Sequence, residues 1–326
     1  MSGFQIEQSK SKSATFFDVK TLDEKWKNFS KCVIMPQNVD RFDSYKNFFI
    51  RPDDIFILGY PRSGTTRLQE LIWIIANDFD FKTLMEYDCG TRIPFFESPE
   101  LSFELREKPL VTSFEEMSSP RTIKSHLPVQ FLPDEIWTKK PKLIHISRDP
   151  KDAIISLFYL LNDFSPVPIK LEDFLEDFLS DNVLYCPYRE YVWNFLNLPD
   201  YENILYLTYE EMSADLDGTI QKVGKFLGKT VSEENASKIK DYLNFEKMKN
   251  RKTNDNKFAY KKMMQIMHPN LNNDVTFIRK GVIGGYRSDM PKEYADRIDY
   301  WYAESGNLNQ GYNYKNYAAI KKIFGS

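Results

Sequence analysis

The chain has 326 residues, with 44 Lys and Arg against 47 Asp and Glu and a formal charge of −3, a near balance that argues against bulk binding to nucleic acid. No apolar run approaches the roughly 18–20 residues that span a bilayer, and the polar start MSGFQIEQSKSKSATFF lacks the apolar stretch of a signal peptide. Three scattered cysteines (Cys32, Cys89, Cys186) and three histidines (His126, His145, His268) fit neither a disulfide framework nor a metal site, so the expectation is a cytoplasmic, reduced, metal-free α/β protein away from membranes.

Aromatic residues reach 15%. They supply either a phenylalanine-rich core or the walls of a pocket for a flat apolar ligand. No repeat, low-complexity tract or linker divides the chain, which reads as one domain over 1–326. Residues 1–50 read as an irregular lead-in with one short helix. Asp54-Ile-Phe-Ile-Leu-Gly-Tyr60 is a short apolar run closed by glycine, hence a buried strand. A helix from Thr66 to Asn77 follows, with Leu68, Leu71, Ile72 and Ile75 at helical spacing.

Further strands are predicted over Arg121–Lys124, Lys142–Ser147 and Asn203–Thr208. Helices are predicted over Ala153–Leu161 and over Leu216–Leu227, the latter ended by Gly228. Strands alternating with helices imply a mainly parallel sheet covered on both faces, with ligands at the carboxyl ends of its strands. Glu246–Lys262 is rich in lysine and lacks apolar periodicity. It reads as a long loop, either a solvated face or a collector of anions, and the whole stretch 246–278 as a lid.

Between the first strand and its helix lies Gly59-Tyr-Pro-Arg-Ser-Gly-Thr-Thr66. A tight turn there aims backbone N–H groups and the positive helix end at one spot, which suits an anion. The nucleoside-triphosphate loop would carry Lys after its second glycine. Here Thr65 takes that place and the cation is Arg62, which weakens a kinase reading.

The segment Tyr60–Thr66 (YPRSGTT) resembles the phosphosulfate loop of the cytosolic sulfotransferases, YPKSGTTW. Four further segments are similar to that family in the same order: Arg92–Glu97 (RIPFFE), Ser119–Pro128 (SPRTIKSHLP), Arg148–Asp152 with Ser156, and Arg279–Gly284 (RKGVIG). The matches span about residues 50–290. The resemblance implies a three-layer α/β, P-loop-like fold with a mainly parallel central sheet flanked by helices. It further implies 3′-phosphoadenosine 5′-phosphosulfate (PAPS) as donor and PAP as product, no metal, and a small hydrophobic hydroxyl acceptor such as a phenol, steroid or retinoid.

Carried over residue by residue, the resemblance makes His126 the general base, with Lys124 and Arg62 facing charge on the transferring group. Ser63, Gly64, Thr65 and Thr66 would hold the 5′-phosphate. Arg148, Ser156, Arg279, Lys280 and Gly281 would hold the 3′-phosphate. Arg67, Tyr209 and Phe245 fall at adenine contacts, Arg67 where the family has Trp. Phe95 and Tyr188 would line the acceptor side with Lys124 and His126. His145, inside an apolar strand, reads as a core residue. Leu243 stands where the family commonly has Thr, and Gly284-Gly-Tyr-Arg287 where it has GDWK. The family's dimer motif is not legible in 287–296, so a homodimer by that route has no sequence support. The alternative reading is a PAPS- or PAP-binding protein that has lost catalysis.

Overall fold

In this computed structural model the described residues are 4–26, 31–104, 110–198, 202–251, 262, 265 and 278–304. Three short strands open the chain: β1 (Phe4–Gln8), β2 (Phe17–Thr21) and β3 (Cys32–Ile34), paired antiparallel in that order. This corrects the expectation of an irregular lead-in over 1–50, although the short helix is present at Phe42–Lys46. The strands are three to five residues long and β1 is largely exposed, so little apolar pattern marks them. The legible trace was Phe17, Val19 and Thr21, alternating toward one face.

The central sheet holds β4 (Ile55–Leu58), β5 (Thr122–Ser125), β6 (Lys142–Ser147) and β7 (Ile204–Thr208), all parallel in the order β5-β4-β6-β7. Every residue of β4 and β5 is buried, as a parallel sheet covered on both faces requires. Alternation assigns the faces. Ile55, Ile57, Ile144 and Ile146 join Leu68, Leu71, Ile72 and Ile75 of the helix Thr65–Ala76 and Ile220 and Val223 of the helix Leu216–Leu227. Phe56, Leu58 and Leu143 face the other way, toward Ile154, Leu157 and Phe158 of the helix Pro150–Phe164 and toward Tyr191 and Phe195 of the helix Tyr188–Leu196. Helices, sheet and helices make three layers.

Two buried ion pairs join elements, one at the start of β4 and β5 and one between the helix Thr65–Ala76 and the short helix Cys89–Arg92. Arg121 reaches Asp54 at 2.6 Å and Arg92 reaches Glu70 at 2.7 Å. Each pair is desolvated, so losing one partner would leave an uncompensated charge. The basic stretch after Glu246 is not all loop. Phe245–Asn250 is helical, started by the side chain of Asn244 accepting from the Lys247 N–H at 3.2 Å. Most of the remaining expected lid lies outside the described residues. Among the described residues no helix is long and apolar enough to cross a membrane.

Candidate active site

The loop after β4 turns back on itself through Arg62 (φ 69°) and Gly64 (φ 92°), both left-handed, before the helix Thr65–Ala76 begins. Gly64 sits there for two reasons. Its φ disfavours a side chain, and a Cβ on it would lie 2.4 Å from Tyr209 Cδ2. The loop forms the floor of a cleft at the carboxyl ends of β4, β5 and β6, where ligands of parallel sheets collect.

Most residues singled out in the sequence meet in this cleft: Arg62, Gly64, Thr65, Thr66, Arg67, Lys124, His126, Arg148, Ser156, Tyr209, Phe245, Arg279, Lys280 and Gly281. Two do not line it. Ser63 is wholly buried, and its N–H is spent on the Tyr60 carbonyl at 3.1 Å. Tyr188 is wholly buried too. Its hydroxyl donates to the Arg148 carbonyl and its ring packs edge-on against Tyr60 at 4.6 Å. Tyr188 is therefore a core residue and not an acceptor wall. Leu243 is likewise core.

Among the described residues the lining carries six cations (Arg62, Arg67, Lys124, Arg148, Arg279, Lys280) against one carboxylate, Asp152. Arg67 Nε, Arg148 Nε and Arg279 Nε are buried with no hydrogen-bond partner among those residues. Cations with spare donors in a cleft fit a polyanionic ligand. Arg62 Nε donates to Ser156 Oγ at 2.9 Å, and Arg148 Nη1 donates to the Arg62 carbonyl at 3.1 Å. The Arg148 guanidinium lies 4.1 Å from the Tyr209 ring centre, whose hydroxyl donates to the Gly281 carbonyl at 2.9 Å.

Arg279 and Lys280 are already engaged, with Asp289 at 2.5 and 3.0 Å. Asp152, quoted in the sequence motif without a role, accepts from the N–H groups of Gly284 and Tyr286 at 2.7 and 2.9 Å. It thereby pins the turn that carries Arg279–Gly281 beside Arg148. Burial lowers the pKa of Arg67 from the ordinary guanidinium value.

His126 follows β5. Its Nδ1 is 2.5 Å from the Gly59 carbonyl. A carbonyl only accepts, so Nδ1 carries the hydrogen and Nε2 keeps a free lone pair. Burial, and then the charge of Lys124, hold the imidazole well below its usual pKa, so it is neutral at pH 7. Lys124 Nζ rests 4.5 Å from the Phe95 ring centre, and burial lowers its pKa. Phe95 and Tyr185 pack on the imidazole at 5.3 and 5.6 Å between ring centroids.

Sequence reasoning gave neither Tyr185, within the aromatic-rich segment 185–193, nor Glu97, at the end of RIPFFE, a role of its own. Glu97 is fully buried, accepts from the His126 backbone N–H at 2.5 Å, and is pushed up in pKa by burial. Its signal was a lone acid closing the apolar run RIPFFE. His145 is stacked on Phe195 at 4.5 Å inside the core, as its position in an apolar strand implied.

A family model described as a sulfotransferase domain matches residues 52–311. Sulfotransferase 1E1 of Bos taurus is 33% identical over 269 residues, covering 82% of this chain and 88% of that protein. Sulfotransferase 1 family member D1 of Rattus norvegicus is 34% identical over 256 residues, covering 77% and 82%. The fold is shared with a crystal structure of retinol dehydratase in a complex with retinol and PAP (TM-score 0.74, 23% identity, 94% of this chain and 97% of that one). It is also shared with a mouse sulfotransferase complexed with PAP (TM-score 0.67, 24% identity, 90% and 97%). A domain match over most of the chain, joined to the ordered segments that converge on one cationic cleft, shows that this protein belongs to the sulfotransferase family.

Proposed function

We propose that the protein moves the sulfuryl group of PAPS to the hydroxyl of a small hydrophobic acceptor, a phenol, steroid, retinoid or similar alcohol. The observation that carries this reading is His126: neutral, its tautomer fixed by Gly59, and lining the same cleft as the anion-binding loop. Solved neighbours of the same fold hold PAP, one together with retinol and one with androsterone, which supports the donor and the acceptor class.

In this reading His126 Nε2 takes the acceptor proton, a step a positioned base speeds by roughly 10²–10⁴-fold. Lys124 and Arg62 face charge on the transferring group and on the oxygen that leaves, in a cleft where water screens little. The N–H groups at the start of the helix Thr65–Ala76, with the hydroxyls of Thr65 and Thr66, hold the 5′-phosphate. Arg148 and Ser156 hold the 3′-phosphate. The guanidinium of Arg67, with Tyr209 and Phe245, receives adenine. When bound, the donor supplies an activated sulfuryl group, so the protein's part is to place and neutralise. Phe95 forms the acceptor wall together with the imidazole it packs on.

Radiolabelled sulfate transfer from PAPS to a panel of phenols, steroids and retinoids tests this reading. Turnover with at least one acceptor class is expected. Tight PAP binding with no transfer across the panel would replace it with that of a nucleotide-binding protein, for which Arg67, Leu243 and Tyr286 are the departures from the family pattern.

A further inference from the structure

The N-terminal sheet has no part in the reading above, yet it is tied to the wall beside His126 at three places. The loop between β1 and β2 closes on the carboxylate of Asp177, which is 2% exposed on the helix Leu171–Leu179. Asp177 accepts from the N–H groups of Lys12 and Ser13 at 2.8 Å each, and from the hydroxyls of Ser11 and Ser13 at 2.9 and 2.7 Å. Lys31 makes the second tie, pairing with Asp18 on β2 at 2.6 Å and donating to Asn182 at 3.2 Å. The third is backbone: the Val33 carbonyl on β3 accepts from the Tyr185 N–H at 2.6 Å, and the Val33 N–H donates to the Cys186 carbonyl at 3.1 Å.

These ties end where the chain is strained. Asp181 and Tyr185 hold φ of 56° and 62°, left-handed for residues that are not glycine. Such conformations persist only where the surroundings over-determine them. The Tyr185 ring then packs on the His126 imidazole. Of the cleft's cations among the described residues, Arg62 sits in the loop after β4, Arg67 on the helix Thr65–Ala76, Lys124 on β5, Arg148 in the loop after β6, and Arg279 and Lys280 in the turn at 279–281, so none lies on the braced segment 177–186.

We propose that the N-terminal sheet is a brace that holds Tyr185 against His126, with Asp177 as the positioning residue that fastens it. The brace sets how far the acceptor side of the imidazole is closed, without touching donor affinity. This rests on the reading of His126 as the base, so the test reads exposure of the imidazole directly and needs no acceptor.

The experiment compares the parent with Asp177→Asn and with the milder Ser11→Ala/Ser13→Ala double variant, which decides the matter if the first does not fold. Each is treated with diethyl pyrocarbonate, and modification of His126 and His145 is followed by mass spectrometry. PAP affinity is measured by calorimetry on the same samples. His126 should be modified about tenfold faster in Asp177→Asn, the ratio that one lost charge-assisted hydrogen bond corresponds to. In the double variant it should be modified about threefold faster, with His145 unchanged and PAP affinity within about twofold in both. An unchanged His126 rate in a folded variant overturns the brace. So does a parallel rise at His126 and His145, which would mean general loosening. Failure of the parent to bind PAP would instead strike the donor reading and leave the labelling result standing.

Discussion

Two glycines share a left-handed backbone but differ in their surroundings, and the pair separates strain from fit. Gly228 (φ 73°) ends the helix Leu216–Leu227, and a Cβ there would meet nothing within 4 Å. Gly228→Ala should therefore cost only the left-handed penalty, about 1 kcal/mol. Gly64 (φ 92°) carries the same penalty, but its Cβ would lie 2.4 Å from the Tyr209 ring, far inside the 3.4 Å of ordinary contact. The ring must withdraw by about an ångström. That forfeits the hydrogen bond to Gly281 at 2.9 Å and the stacking of Arg148 at 4.1 Å, each worth about 1 kcal/mol.

Gly64→Ala should thus lose about 3 kcal/mol against about 1 kcal/mol for Gly228→Ala, read by urea unfolding at constant slope. PAP affinity should fall more than about tenfold for Gly64→Ala and stay unchanged for Gly228→Ala. Equal stability losses would refute the packing of Tyr209 on the loop. Unaltered PAP affinity in Gly64→Ala would mean that the nucleotide is held elsewhere.

The sheet and its loop were legible because buried parallel strands are short unbroken apolar runs. Lys142–Ser147 is a strand over its whole predicted length, and the others shift by one or two residues. The loop after β4 was legible because its glycine and hydroxyl spacing is tied to a strand before and a helix after. What could not be read lies where a residue's role depends on distant neighbours. The carboxylates of Asp152, Glu97 and Asp289 gain their meaning from backbone N–H groups and cations brought to them by folding, and the motifs that contain Asp152 and Glu97 do not name those partners.

The aromatics misled in a similar way. Tyr188 and Tyr185 stand three residues apart in one apolar stretch. A helix start turns Tyr188 into the core under Tyr60, while a left-handed backbone turns Tyr185 to His126. The N-terminal strands were missed because their pairing is long-range and their outer face polar.

Further expectations separate catalysis from binding and both from stability. His126→Ala should lower kcat by about 10²–10⁴-fold with PAP affinity nearly kept, and parent-like transfer at neutral pH would remove the base assignment. Arg148→Ala should instead weaken PAP binding by about tenfold or more, through a phosphate that does not react; an effect on kcat alone would refute it. Arg67→Ala should weaken PAP a few- to about thirtyfold, and Arg67→Trp should retain it; no change for Arg67→Ala would mean that adenine is held by other groups. Burial lowers the pKa of Lys124, so kcat/KM should begin to fall with rising pH well before an ordinary lysine titrates, and a flat profile to pH 10 would contradict a charged Lys124 in the transition state.

The last expectation concerns acid stability. His145 is buried against Phe195, neither ring nitrogen has a partner among the described residues, and burial lowers its pKa to about 3. In the unfolded chain the same imidazole takes a proton near 6.5. Between those values the unfolded state binds more protons, so stability falls as pH falls, by about 1.4 kcal/mol per pH unit. His145→Phe should remove that slope. Between pH 7 and pH 5 the parent should lose about 2 kcal/mol more than the variant, in parallel urea titrations at each pH. His126 acts in the same direction in both proteins and cancels in the comparison. Identical pH slopes would mean that His145 is already charged or solvated in the folded state, and its place as a neutral core residue would fall.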